Sequence, residues 1–589
     1  MTPTIDFHTD DRAAWDLAVD DLLLRVQWRR TDGRAAARST ASGRKFAAFL
    51  AKDDALPDLP RRAAERLAWS ADSFDFDSRC ETLAVIARML SAKKSADRGE
   101  KQLGRLLAEF TACRPAEPRE LLILLTLLAT VRGRLKRSTR LELFRVTLLS
   151  ARSHAVSIEQ EPPGPQPVDV RAVRRGELPL LIGHVLETVH GSTHLRRQGR
   201  RAIADLVDEI TDTDGTPASR VVDRLPWLLA SVTRADAIPR GRALLGKPPR
   251  GRLAALTEAA VHLAGPGLQL GAAKHSPAIL RAAAASLAGG GSRATRRLLK
   301  RDRPVGRGPE NSLQTDWGGM AVLFGGTPTV DRVLRIHTDG PTPAVELSVD
   351  GRAVLEGEWR CDVVVGGRAV PEPPTWNSVC WYADEDCAYL ELQATTGDVT
   401  QTRHFVTVPD GGLILLSACV RGAGERDVAV ESSLRLAGGV RAKPHADQTS
   451  VSLRGAASGR AVPLAIPQRR ESDAAGTLEA ADGELRLTQV SAAGGCVSPL
   501  LLDFGGSRKT PGWRGLSVSE AGHAVGPARA AAFLYRLGVS GGARQWVYYQ
   551  GLSKNVAPRT VLGHHTNHEM VFGRFCEGDV EPLVHVDAG

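Results

Sequence analysis

The sequence predicts a multidomain α+β protein with its helices first and an antiparallel β region second, and three observations lead there. Apolar residues recur every three to four positions in ETLAVIARMLSAKK, RELLILLTLLATVRGRLKR, GELPLLIGHVLETVH and GRRAIADLVDEITD, the spacing that lines one face of a helix. From about Asp316 the pattern becomes short alternating segments bounded by Asp-Gly and Gly-Gly turns, as in RVLRIHTDG, AVELSVDGRAVLEGEW and GELRLTQV, the texture of antiparallel hairpins. Charge changes at the same place: residues 1–310 hold 52 basic and 36 acidic side chains, whereas residues 311–589 hold 25 and 31.

A chain of 589 residues exceeds what one hydrophobic core organises, so two or three domains are expected. The shifts in texture place a helical domain at 1–286, a basic Gly/Arg-rich linker at 287–315 and an antiparallel β domain at 316–589. Within the first, proline-rich breaks at 161–168 and 238–250 separate groups of helices. The opening stretch MTPTIDFHTDDRAAWDLAVDDLLLRVQWRR interrupts every apolar run with charge, unlike a secretory leader. The longest apolar run, Leu121–Val131, is about half the roughly 20 residues a membrane span needs and reads as a buried helix. A cytoplasmic protein without a membrane partner is therefore expected.

The eight cysteines are scattered, with no C-x-x-C pair, so reduced thiols are expected, and Cys380 and Cys387 lack further ligands at zinc spacing. In the linker, Arg293, Arg296, Arg297, Lys300, Arg301, Arg303 and Arg307 have the charge to contact phosphates. No aromatic residue is interleaved to stack bases and no recognition motif accompanies them. Nucleic acid is not the expected partner; a solvated or interdomain basic segment is, and the same positive charge suits an acidic carbohydrate.

A helical half followed by a β half resembles the heparinase II/III-like polysaccharide lyases, and three stretches strengthen the resemblance. DEITDTDGTPASRVVDRLPWLLASVTRA resembles the segment in which that family carries an Asp-Gly turn followed by a helix bearing catalytic groups. LRIHTDGPTPAVELSVDGRAVLEGEW resembles the family's histidine-containing first strands, and VTQTRHFVTVPDGGLILLSACV the paired strands that follow. The resemblance implies an N-terminal incomplete α/α toroid of helical hairpins, a C-terminal antiparallel β-sandwich, and β-elimination beside a uronic acid.

That chemistry needs one group to neutralise the carboxylate, a base to remove the carbon-bound proton and an acid to protonate the departing oxygen. The resemblance implies an asparagine or similar donor for the first, with histidine and tyrosine for the others. This chain departs from that set: residues 1–310 contain no asparagine and no tyrosine, and Val222, Asp223 and Arg224 stand where the tyrosine would follow the Asp-Gly turn. The catalytic candidates are then His337, which matches the family motif, with His184 and His190 from LIGHVLETVHGSTHLRR and Arg220 after the Asp214-Gly215 turn. Glu187 shares a helix face with His184 and is a candidate to orient it. Arg220 suits a bidentate clamp on a carboxylate; its bland alternative is a surface arginine or a partner of Asp223. Asp339 reads as the turn residue of its Asp-Gly pair. A histidine has a bland alternative too, as an ordinary polar or capping residue.

For substrate contact the candidates are Trp381, Trp359, His404, His565 and His568. Trp376, Trp381, Tyr382 and Tyr389 surround the acidic trio 384–386 in WNSVCWYADEDCAYLEL; exposed indoles would stack on sugars, whereas core packing around a hairpin turn is the alternative. VLGHHTNHEM is not an H-E-x-x-H zinc motif, because its glutamate follows the last histidine. On a strand His564 and His568 stand about 13 Å apart. A tight turn at Thr566 and Asn567 would pair His565 with His568, but two ligands make a weak site, so no cofactor is expected and a divalent metal is unsupported. Two functions stay open: a lyase with a rebuilt acid/base set, and a non-catalytic glycan-binding or protein-interaction scaffold.

Overall fold

The structure is a computed structural model that describes residues 78–587 apart from short internal segments, notably 131–134, 161–165, 187–191, 238–244, most of 266–275, most of 288–306 and 469–475. Its residues form two compact units, one of helices and one of strands.

In the helical unit the apolar stripes become facing helix surfaces. Ser78–Ser91, Ala96–Ala112, Pro118–Thr130 and Arg137–Gln160 bury Leu83, Leu103, Leu124 and Phe144 in one core. The run read as a buried helix is one, since Leu121–Leu125 are at most 3% exposed. Val168–Arg171 passes through a π-helical stretch, Ala172–Glu177, into helix Leu178–Val185. This segment lies close against helix Ser192–Ile210: a Cβ at Gly199 would stand 2.5 Å from the Gly176 carbonyl. Glu177, fully enclosed, accepts from Arg234 Nε at 2.6 Å, Arg234 Nη2 at 2.8 Å and Ser231 Oγ at 2.7 Å, so the buried charge is paired as burial requires. Among the described residues no helix is long and apolar enough to cross a membrane.

Every strand pairing in the second unit is antiparallel. Strands β1 (Leu313–Thr315), β2 (Met320–Phe324), β3 (Arg332–His337), β4 (Ala344–Val349) and β5 (Arg352–Val365) run in order across one edge of a nine-stranded sheet. An eight-stranded sheet packs against it, joining Ala321, Leu334 and Leu347 to Leu390, Phe405 and Ile414 in a shared core. The other face of the eight-stranded sheet meets a five-stranded sheet, where Tyr389, Val406 and Leu415 contact Phe533, Trp546 and Phe572. The sandwich thus has a third layer that the sequence did not announce. Covered on both faces, strand Leu413–Arg421 reads LILLSACVR, with all but its last residue buried. Such a strand has no polar face to alternate with.

Arg307 departs from its expected role. It is 7% exposed, lies 3.1 Å from Asp331 and sits over the Phe324 ring at 3.9 Å, a structural cation rather than a solvated one. The other six basic residues singled out in the linker lie outside the described residues. Cys361, Cys380, Cys387, Cys419, Cys496 and Cys576 are free thiols; Cys113 lies outside the description.

Candidate functional site

His337 ends β3, opposite Met320 on one side and Ala344 on the other. Its face of the strand also carries Arg335, directly across from Glu346. Glu346 lies between them, with Oε1 3.8 Å from His337 Nε2 and Oε2 3.6 Å from Arg335 Nη1. The imidazole is 14% exposed and the carboxylate 34%, so the cluster reaches solvent at the strand end. A carboxylate beside an imidazole can orient the ring. Neither Glu346 nor Arg335 was legible as a partner from the sequence, because strand register rather than sequence spacing brings them there.

The turn after His337 is tight. Gly319, at φ +60°, places the position of an added Cβ 3.0 Å from Asp339 Cβ, and Thr338 donates to the Gly319 carbonyl at 2.7 Å. Asp339 is exposed in this turn, as its Asp-Gly context suggests.

The helical unit holds the remaining catalytic candidates. Arg220 is exposed in the 3-10 turn Ser219–Arg224, and its charge helps to hold down the Glu209 carboxyl, which is lowered first by its hydrogen bonds to Arg171 at 2.8 and 2.5 Å. The carboxylate near Arg220 is thus Glu209. His184 occupies the last turn of Leu178–Val185, its Nε2 buried with no hydrogen-bond partner among the described residues. Burial first, then the charges of Arg196 and Arg200, lower its pKa to about 4. A base that weak is poorly matched to proton abstraction near neutrality. His190 and Glu187 lie outside the described residues.

Two substrate-contact candidates are corrected by burial. Trp359 is 1% exposed, donates from Nε1 to Ser432 Oγ at 3.1 Å and packs edge-on to Phe405; no sugar reaches it. His404 is fully enclosed, with Nδ1 2.8 Å from the Tyr389 hydroxyl, which itself donates to Glu391 at 2.8 Å. Trp381 is half-buried on the edge strand Asn377–Ala383 and packs on the core. The acidic trio beside it closes a hairpin, with Asp384 Oδ1 accepting from the amides of Asp386 and Cys387 at 2.9 Å each.

VLGHHTNHEM also folds differently from the turn considered for it. The hairpin turns at Leu562 and Gly563, both at positive φ, and His564–Thr566 pairs back on Arg559–Val561. Exposed His565 therefore meets Thr560 Oγ1 at 2.9 Å and is not cross-strand to His568. His568 bonds Asp587 at 2.7 Å and stacks on His585, their ring centroids 4.1 Å apart. Among the described residues no group of three or more His, Cys, Asp or Glu is placed to hold a metal ion.

All five tyrosines lie in the β unit, and four of them, Tyr389, Tyr535, Tyr548 and Tyr549, are at most 1% exposed. The fifth, Tyr382, is exposed but donates to Asp384 at 2.7 Å, a bond that raises its pKa to about 12.

In fold the chain is similar to solved polysaccharide lyases. It is similar to a mutant of the heparan sulfate lyase HepC from Pedobacter heparinus, with a TM-score of 0.53 at 10% identity over 97% of this chain and 98% of that one. It is also similar to a heparinase III gene product, with a TM-score of 0.57 at 8% identity over 90% and 98%. No family model and no curated protein matches the sequence. The chain has the heparinase-like lyase fold, a helical toroid-type region followed by an antiparallel β-sandwich.

Proposed function

We propose that the chain is a carbohydrate-active protein of the lyase fold that takes an acidic oligo- or polysaccharide and cleaves it beside a uronic acid by β-elimination, with His337 moving the proton. The observation that carries this reading is the motif histidine itself, solvent-reaching at a strand end and paired with Glu346 at 3.8 Å. Support also comes from the fold's solved neighbours, one of which is named for heparan sulfate. In the step, the base takes the proton from the carbon next to the carboxylate. The freed electron pair forms the carbon–carbon double bond, the glycosidic carbon–oxygen bond breaks, and the departing oxygen takes a proton.

A second reading, a glycan-binding scaffold that does not cleave, is favoured by the tyrosines: four are sealed and Tyr382 is held protonated by Asp384. The test is the ultraviolet absorbance of the unsaturated product after incubation with acidic oligosaccharides. Expected are a rate loss of about 10² to 10⁴-fold in His337→Ala and little change in His565→Ala. Undiminished activity in His337→Ala would sink the assignment; salt-dependent binding of an acidic glycan without cleavage would establish the scaffold.

A further inference from the structure

Beside His337 the β unit has a pocket that the proposed chemistry does not use. It opens at the edge of the sandwich, where β1 and β2 of one sheet face strands Asn377–Ala383 and Ala388–Thr396 of the other. Its buried lining is apolar, from Met320, Leu390 and Trp376, and its outer lining is polar, from half-buried Gln314 and exposed Asp316 and Asn377. Thr338, which follows His337, lines it too, and Met320 is the cross-strand partner of His337.

The lining is held in place. Trp376 donates from Nε1 to the Pro341 carbonyl at 2.9 Å, and the Arg403 guanidinium lies 4.6 Å from its ring centroid. Gln314 Nε2 donates to Asp316 Oδ1 at 2.5 Å. The next residue, Trp317, is 51% exposed, among the most exposed large apolar side chains of the described residues. Its turn is fixed by the Gly318 amide on Thr315 Oγ1 at 3.0 Å and the Gly319 amide on the Asp316 carbonyl at 3.1 Å. An indole left half in water on a braced turn gains by covering its face, and amides and a carboxylate beside an apolar floor match the hydroxyls and C–H face of a sugar.

The charge of the lining selects the ring. The pocket is lined by one carboxylate and by no lysine or arginine, so a uronate or sulfate entering it would meet a like charge without a counterion. We infer that this pocket is a subsite for an uncharged sugar ring, with Gln314, Asp316 and Asn377 of the lining binding its hydroxyls and Trp317, which follows Asp316 and is not itself in the lining, stacking on the ring from the adjacent turn. It rests on the reading of the chain as glycan-active, and it would seat the neutral ring of a glycan next to His337.

Titration calorimetry on the full chain tests this with two probes, a neutral set (gluco-, galacto- and N-acetylglucosamine oligosaccharides) and a heparan-type acidic oligosaccharide. At least one neutral oligosaccharide should bind, and Trp317→Ala and Asn377→Ala should each weaken it about tenfold while melting as the wild type does. If the acidic probe binds but no neutral one does, or if both variants bind a neutral oligosaccharide as the wild type does, the subsite is wrong and the broader reading stands. If a neutral probe binds through Trp317 and the acidic one neither binds nor is cleaved, the subsite stands and the acidic-substrate reading falls. Binding of neither probe overturns both.

Discussion

His404 lies on strand Val399–Val408, nearly every residue of which is buried. Its enclosure, and after that the charge of Arg421, push its pKa down to about 3. In an unfolded chain an imidazole titrates near 6.5. As pH falls below about 6.5 the unfolded state therefore binds the proton first, and the folded state does so only near 3. Stability is lost across that window, by about 1.4 kcal/mol per pH unit at the steepest, and His404 contributes no pH dependence above it. Burial raises the Glu391 and Glu569 carboxyls; they act with the opposite sign, but in the wild type and a His404→Phe variant alike. Comparing the two isolates the imidazole, since Tyr389 keeps Glu391 as its acceptor. Melts followed by circular dichroism should show the gap between the proteins moving in the variant's favour by a few degrees from pH 7 to pH 5. A gap independent of pH would mean that the imidazole takes up its proton in the fold as it does in the unfolded chain, so that burial has not lowered it.

At the scale of elements, the legible part of the chain was the part whose signal is local. Asp350-Gly351 and Asp482-Gly483 both turn at positive φ, and both were readable because aspartate and glycine tolerate that region. Leu562 adopts the same conformation without a residue type that announces it, whereas Thr566 and Asn567 are the residues of VLGHHTNHEM whose types suit a turn. The candidate site divides in the same way. His337 was legible from its motif, whereas its partner Glu346 is set by cross-strand register. Residue type alone could not say that Trp359 faces the core while Trp317 faces water. The turn at Ala521 and Gly522 gives a test free of packing, because both residues are exposed and a Cβ on Gly522 would meet nothing within 4 Å. Ala521 is at φ +49° and Gly522 at +82°. Ala521→Asn should raise stability by about 0.5–1 kcal/mol and Gly522→Ala should lower it by about 1 kcal/mol. Denaturant midpoints would show the two changes with opposite signs; a loss in both would mean that the turn is not held in the left-handed region.

Across the whole molecule, charge and architecture divide together, and this separates two modes of glycan binding. Basic residues outnumber acidic ones 52 to 36 up to residue 310 and are outnumbered 25 to 31 beyond it. On helix Ser192–Ile210 of the helical unit, Arg197, Arg200 and Arg201 are exposed, whereas the pocket lined by Gln314, Asp316 and Asn377 has no cationic lining. An acidic polymer drawn by the helical unit would lose affinity as salt screens those arginines. Between about 50 and 200 mM NaCl the loss should be about 10- to 40-fold for two to three neutralised charges. A neutral oligosaccharide held by stacking and hydrogen bonds should change by less than about twofold over the same range, because no net charge is being paired. Arg197→Glu combined with Arg200→Glu should flatten the salt dependence of the acidic probe and leave the neutral one unaffected. If the neutral probe weakened in parallel, or the acidic probe held its affinity at high salt, the division of labour between a basic helical unit and a neutral-ring pocket would be wrong.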